Sequence, residues 1–303
     1  MDLLKEAEKN NPKPNWQNLK VKLVSFFANI RIFNVLLLVL AQYLAAIFIF
    51  SKNQDWLDVL QDIDLALVVV CTICVVAGGY IINNFYDFES DRINRPYKTS
   101  LENRIAQKTK LKLYFLLNFM GFGFSFLISW RAAVFFASYI FLIWFYSHKL
   151  KNYPVIGFIT AAILQLLPFF VVFVYYRNFS TVIFAHASFL FFLLLMKEIV
   201  KGIEHKDGYA LQDKNSLVLL YGLRFSKLLY FLLTLLILNP VYYMLKFENI
   251  GKMSMYFYLA YSILLLSNVL LYIGKSQKSY LLVHNLLRVL LFLGVFSIAL
   301  IPS

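Results

Sequence analysis

The sequence predicts an all-α integral membrane protein built as a bundle of nine transmembrane helices. Two observations carry that expectation. Of 303 residues, 61% are hydrophobic and only 15% are charged, with a mean hydropathy of +0.69. Soluble domains average about 45–50% apolar and about 25% charged residues, so this chain has too few charges to cover a water-soluble surface. Its apolar residues also gather into runs of about 20, the length of a helix that crosses a bilayer core. The 31 Phe, 20 Tyr and 4 Trp suit lipid-facing and interfacial positions. Disordered, collagen-like and disulfide-stapled classes are excluded by the same composition.

In chain order the runs cover 33–50, 62–82, 112–129, 132–147, 155–176, 181–197, 228–246, 254–273 and 284–301. The segment before them, 1–31, mixes Asp2, Glu6 and Glu8 with its lysines. A transit peptide is poor in acids, and a signal peptide carries its apolar core there. The run that begins near Phe33 is therefore read as a span, and no cleaved leader is expected. Cys71 and Cys74 form a C-x-x-C inside the second run. Such apolar surroundings favour packing over redox or metal chemistry. His148, His186, His205 and His284 are too scattered to suggest a zinc cluster. The third and fourth runs, and the fifth and sixth, are joined by a few residues each, which makes antiparallel neighbours of them.

Charge decides the orientation. Segments that share a side with the N-terminus hold 23 of the 29 Lys and Arg; the opposite side holds Lys52, Arg131, Arg177, Lys246 and Lys252, and Arg288 lies inside the last run. By the positive-inside rule the N-terminus is cytoplasmic and the C-terminus outside. The net charge of +13 is thus a topology signal, and no nucleic-acid partner is expected. Two connections on the cytoplasmic side, 83–112 and 197–227, are long and charged, and function is expected there.

The first of these opens on Asn83, Asp87 and Asp91. At i, i+4 and i+8 they share one face of a continuing helix. Carboxylates at the end of a membrane helix are costly and mark function. Oxygen ligands so spaced suit Mg²⁺, which takes a few protein ligands together with phosphate oxygens and water. Arg95, Lys98 and Arg104 follow within reach of a phosphate on that ion. An EF-hand loop beginning at Asp87 fails, with Arg92 at the sixth position and Lys98 at the twelfth. Membrane phosphatidyl-alcohol transferases require a Gly where Asn83 stands and an upstream Asp-Gly…Ala-Arg segment that is absent.

With these residues the chain resembles the UbiA-type intramembrane prenyltransferases. Asn83, Asp87, Asp91, Asn94 and Pro96 match the first Asp-rich motif of that family, and Arg104-Ile105 match its following Arg-Ile pair. Arg31 and Asn34 at the start of the first span, and Tyr146-Ser147 with Leu150-Lys151 after the fourth, are also similar. Thr99 and Asn103 stand where the family has Pro and Gly. The second charged connection, from Lys197-Glu198-Ile199-Val200-Lys201 to Asp207-Gly208-Tyr209, is similar in frame to the second acidic motif of the archaeal ether-lipid branch. There Gly202, His205 and Tyr209 replace aspartates, while Glu198, Glu204 and Asp207 keep carboxylates.

The resemblance implies a bundle around a central cavity open to the cytoplasm and, laterally, to lipid. It further implies a multi-pass protein of the cell membrane, a prokaryotic plasma membrane, organised as one domain over 1–303. The implied activity is Mg²⁺-dependent transfer of a polyprenyl group from its diphosphate to a membrane-associated, lipid-like or aromatic acceptor. Asp87 and Asp91 are the implied catalytic residues. Asn83, Asp87 and Asp91, helped by Glu198, Glu204 and Asp207, are the implied metal ligands. Arg95, Lys98, Arg104, Tyr146, Lys151, Lys197 and Asn34 are the implied substrate-binding residues. Mg²⁺ neutralises a leaving diphosphate as its charge develops, so the thinned second motif leaves a degenerate prenyl-lipid binder as the alternative. The Lys-Glu-Ile-Val-Lys run favours geranylgeranylglyceryl phosphate as acceptor, with quinone precursors and porphyrins as the other choices. A transporter is disfavoured, since neither internal repeats nor helices broken at midplane are evident.

Overall fold

The computed structural model describes residues 16–51, 54–210 and 216–302. The first fifteen residues of the expected N-terminal segment, Lys52, and positions 211–215 of the second charged connection lie outside them. Helix α1 (Trp16–Asn29) meets α2 (Ile32–Ala45) at Arg31, whose backbone is left-handed at φ 51°, ψ 55°. For a residue with a side chain that conformation costs on the order of 1–3 kcal/mol and is held by its surroundings. Helix α2 widens into a π turn over Ala46–Phe50, and a short α3 (Trp56–Gln61) follows.

Helix α4 (Ile63–Asn94) is 32 residues long. At 1.5 Å per residue it extends for about 48 Å, well beyond a hydrocarbon core of about 30 Å. The Asp62 carboxylate caps its start, accepting from the Asp64 and Leu65 N–H groups at 3.0 and 3.1 Å. Its end is set by Pro96, because proline drives the residue before it out of the helical region. Arg95 accordingly lies at φ −145°, and Pro96 opens α5 (Pro96–Glu102).

Helices α6 (Gln107–Ile128) and α7 (Trp130–His148) are separated by Ser129 alone, whose hydroxyl caps α7 by accepting from the Ala132 N–H at 3.1 Å. Next come α8 (Pro154–Tyr176), α9 (Thr181–Glu204), the one-turn α10 (Lys206–Ala210) and α11 (Leu217–Leu236). The crossing begun by α11 is completed by α12 (Leu238–Phe247). Pro240 has no N–H for the Leu236 carbonyl, and the Asn239 amide donates to it instead at 3.2 Å. Helices α13 (Ser254–Ile273) and α14 (Gln277–Ser297) complete the chain.

Nine helical segments among the described residues are long and apolar enough to cross a membrane. The protein is a multi-pass membrane protein, all-α as the sequence predicts. Helix α4 packs on α6 and α7, α9 packs on α8, α11 and α14, and α14 returns to α2, which lies against α4 and α8. That closure makes a ring. Large apolar residues such as Phe33, Phe119, Trp130, Tyr258 and Ile273 face outward, the arrangement that lipid rewards and water does not.

The spans differ from the sequence expectation at the charged end. The second runs on to Glu89, the sixth to Glu204, and the seventh begins at Leu217. Much of the expected connection 197–227 is therefore helical, with a kink in α11 at Gly222, whose backbone lies at φ 83°, ψ 167°. Apolar residues continue on one face of these extensions, with Ile199, Val200, Ile203, Leu217 and Val218 buried, and that face keeps the helix going after the outer face has turned polar.

Candidate active site

A cavity of about 1500 Å³ lies inside the ring, lined from α1, α2, α4, α5, α7, α8, α9, α13 and α14. One end is polar. Asn34, Asn83, Tyr146, Ser147 and Gln165 line it beside Arg31, Arg95, Lys98, Lys197, Lys201 and Arg288, and Glu198 is its acidic residue among the described ones. The far end is apolar, with Ile49, Phe169, Val172, Phe189, Phe257 and Ile298. From Asn34 to Ile49 the wall runs 15 residues, or about 22 Å of helix. Lining residues Phe27 and Phe33 on one flank, and Val289 and Phe292 on the other, are also exposed. The cavity thus reaches the lipid-facing surface between α1–α2 and α14.

Helix α4 brings Asn83 to the cavity and Asp87 and Asp91 one and two turns beyond on the same face. The Asn83 Oδ1 is buried without a hydrogen-bond partner. Burying an amide oxygen unsatisfied costs roughly 1–3 kcal/mol, so this atom is a ready acceptor site. An amide oxygen and two carboxylates spaced along one helix face fit Mg²⁺, a hard cation that takes oxygen donors. Asp87 receives the Lys151 ammonium at 2.7 Å. Lys151 sits on a single 3-10 turn, Leu150–Asn152, and Gly157 holds that turn against α8. A β-carbon at Gly157 would stand 3.0 Å from the Lys151 carbonyl oxygen, a contact tight enough that the turn would have to shift by a few tenths of an ångström.

Facing α4, helix α9 carries a cationic run. Glu198 is enclosed by Lys201 at 3.1 Å, Lys197 at 3.9 Å and the Gln165 amide at 2.9 Å. Nearly two turns on, Glu204 accepts from His284 Nδ1 and lies 3.8 Å from the Arg95 guanidinium. Arg95 also donates to His205 Nε2 at 2.9 Å. Burial holds the His205 imidazole below its ordinary pKa, which keeps it neutral and able to accept. Tyr209 lies close enough to Lys201, Asp87, Glu198 and Asp91 to feel their charges, and burial pushes its phenol up to about 12.

Helix α5 is fastened to its surroundings by Glu102. That carboxylate takes Lys98 at 3.3 Å and the Asn84 amide at 2.5 Å, and its carbonyl accepts from Asn29 at 2.9 Å. The buried Lys110 ammonium donates to Asn84 at 2.7 Å and to Asn103 at 3.1 Å. Asn103, where the family has Gly, is thus a hydrogen-bond acceptor here. The network places Lys98 at the cavity mouth, where burial, followed by Arg31, lowers its pKa.

Of the residues expected from sequence, Asn34, Asn83, Arg95, Lys98, Tyr146, Lys197 and Glu198 line one cavity, whereas Asp87, Asp91 and Lys151 lie outside its lining, Asp87 and Lys151 paired at 2.7 Å. Others are not brought together. Arg104 and Asp207 are exposed, and Glu204 is engaged by His284 and Arg95. No group of three or more His, Cys, Asp or Glu side chains poised for a metal occurs among the described residues. The Asn94 side chain lies outside them. Arg288, Gln165 and Lys201 were not among the expected site residues. Arg288 and Gln165 carried a signal, since polar residues inside a membrane span are expensive and functional by default. Cys71 and Cys74 are buried packing residues in α4, as expected.

The fold and cavity define a class: a multi-pass helical membrane protein with an amphiphilic cavity, charged at one end and apolar in its depth. Comparison with known proteins supplies the family. Residues 39–287 match the UbiA prenyltransferase family. A digeranylgeranylglyceryl phosphate synthase from Saccharolobus solfataricus is 31% identical over 236 residues, covering 76% of this chain and 81% of its own. A solved digeranylgeranylglyceryl phosphate synthase structure superposes with a TM-score of 0.66 at 21% identity, over 93% of this chain and 97% of that one. A UbiA homologue from Archaeoglobus fulgidus, bound to GPP and Mg²⁺, superposes with a TM-score of 0.66 at 13% identity, over 90% and 99%. The chain belongs to the UbiA prenyltransferase family and is a prenyltransferase.

Proposed function

We propose that the protein transfers a polyprenyl group from its diphosphate to the hydroxyl of a glyceryl phosphate lipid, geranylgeranylglyceryl phosphate being the leading acceptor. The observation that carries this reading is the cavity itself, which joins an anion-binding mouth to a long apolar interior. The diphosphate sits between α4 and the cations of α5 and α9, and the prenyl tail lies along Ile49, Phe169 and Phe189. Asn83, Asp87 and Asp91 would hold Mg²⁺, which would supply positive charge to neutralise the departing diphosphate. Lys151 orients Asp87 and, with Arg95, Lys98 and Lys197, holds the diphosphate oxygens. The allylic C–O bond breaks with its electron pair leaving on the diphosphate. The acceptor oxygen bonds to the freed carbon, and its proton leaves to water at the polar mouth.

Relatives bearing the synthase name support the acceptor. So does the surplus of cations at the mouth, which suits two phosphate-bearing substrates better than one. The opening between α1–α2 and α14 gives a lipid acceptor a path from the bilayer. The 23-to-5 charge split supports a mouth and N-terminus on the cytoplasmic side of a cell membrane with the C-terminus outside. Reporter fusions at Lys22 and after Ser303 check this, and a cytoplasmic C-terminus would contradict it. The acceptor is tested with the purified chain in detergent, labelled geranylgeranyl diphosphate, Mg²⁺, and geranylgeranylglyceryl phosphate, an aromatic quinone precursor or a porphyrin. A higher kcat/KM with the first is expected; preference for either of the others overturns the acceptor assignment.

A further inference from the structure

Two guanidiniums that line the cavity, Arg31 and Arg288, are left over once Arg95, Lys98, Lys151 and Lys197 hold the diphosphate. Arg288 stands well inside the last span, about 16 Å along α14 from Gln277. It is exposed rather than packed. An arginine at such a depth is expensive, and it faces a cavity or a partner. Its hydrogen-bond partner among the described residues is the neutral Asn285 side chain, at 3.2 Å. The carboxylates within reach of its charge are Glu204 and Glu198. Both are taken by other groups, Glu204 by His284 with Arg95 beside it, and Glu198 by Lys201 and Lys197.

Arg31 stands on the other side of the same opening. It joins α1 to α2 with a left-handed backbone, and its guanidinium lies 4.8 Å from the centre of the Tyr80 ring. Backbone strain of that kind persists only where the surroundings hold it, and here it fixes a cation at the cavity. Phe27 and Phe33 flank Arg31, as Val289 and Phe292 flank Arg288, and all four are cavity residues that are also exposed. The two arginines therefore border the lateral opening, close enough for Arg288 to feel the charge of Arg31. Like charges brought together beside lipid are stabilised by an anion between them.

We propose that Arg288, with Arg31 opposite, holds the phosphate of the lipid acceptor at the lateral opening and so selects acceptors that bear one. This rests on the prenyl-transfer reading with a glyceryl phosphate lipid, and says where that lipid's headgroup is recognised. A guanidinium suits the task, because it stays charged beside lipid and its paired donors match phosphate oxygens. The acceptor's own prenyl chain stays in the bilayer while its headgroup enters between the two arginines.

The test compares two acceptors that differ in the phosphate alone, geranylgeranylglyceryl phosphate and geranylgeranylglycerol. The full chain and its Arg288→Gln variant are assayed in neutral detergent free of phospholipid, with labelled geranylgeranyl diphosphate and Mg²⁺. In the wild type, loss of the phosphate should lower kcat/KM by about tenfold or more, the scale of a hydrogen bond to a charged group. Most of that preference should vanish in Arg288→Gln while the KM for the donor stays unchanged, and Arg288→Lys should recover part of it. The preference is a ratio within one protein, so any loss of folded chain cancels. An undiminished preference in Arg288→Gln would overturn the inference and leave the prenyl-transfer reading standing; a guanidinium serving only stability, bilayer headgroups or the donor diphosphate gives that result. No preference for the phosphate in the wild type would overturn it equally. Transfer by the wild type to neither glyceryl lipid would contradict the acceptor reading as well.

Discussion

Asp87 and Lys151 meet at 2.7 Å although 64 positions separate them, and a glycine makes the meeting possible. Gly157 leaves room for the turn that carries Lys151, so Gly157→Val should push that turn away from α8. Overpacking of this kind destabilises by roughly 1–3 kcal/mol. Because the shifted residue is Lys151, turnover should fall more than thermal stability does. Gly123→Ala is the matched control, since a β-carbon there meets nothing within 4 Å, and it should change neither quantity. Equal activity of the two variants at substrate saturation would separate Lys151 from the site. The residue-scale reading of the sequence was best where spacing encodes geometry. Asn83, Asp87 and Asp91 were recognisable because a helical period places them on one face. Arg288 and Gln165 were harder to assign, since each stands alone in an apolar run and only the packing of distant helices shows what it faces. Arg104 and Asp207, both exposed, stand apart from the others for the converse reason: charge in a connection does not reveal which way it turns.

At the scale of the element, α4 matters through its continuity. One unbroken helix carries the membrane span into the acidic face, so the rotational setting of Asn83, Asp87 and Asp91 is fixed by the packing of the span below them. Inserting a single Ala between Ile82 and Asn83 would rotate everything beyond by about 100°. All three side chains should leave the α4 wall, with transfer lost and membrane insertion and detergent monodispersity kept. Near-normal activity in the insertion variant would show that the helix face does not set the site. The nine crossings were legible in hydropathy because lipid demands a continuous apolar stretch. Their charged ends were not, as the extensions to Glu204 and from Leu217 are amphipathic and read locally as polar loops. The stop after Asn94 follows from Pro96, whose ring chemistry needs no tertiary context.

The whole molecule joins two solvents in one cavity, a phosphate-binding mouth and an interior as apolar as lipid. That union comes from closure of α14 onto α2, a contact between the two ends of the chain that no local pattern discloses. It also explains why cations cluster so densely: with low-dielectric walls around them, their attraction for an anion is stronger than it would be in water. The most direct measurement of the central claim follows both products of one reaction. Purified wild-type chain and an Asp87→Asn, Asp91→Asn double variant are supplied with labelled geranylgeranyl diphosphate, geranylgeranylglyceryl phosphate and Mg²⁺, and released diphosphate and prenylated lipid are counted together. The wild type should yield the two in equal amounts. The double variant, still folded and membrane-inserted, should lose at least about a hundredfold in rate, the scale of removing a charge-stabilising contact from an active site. Equal rates in the two proteins, or diphosphate released by the wild type with no prenylated lipid formed, would contradict the account.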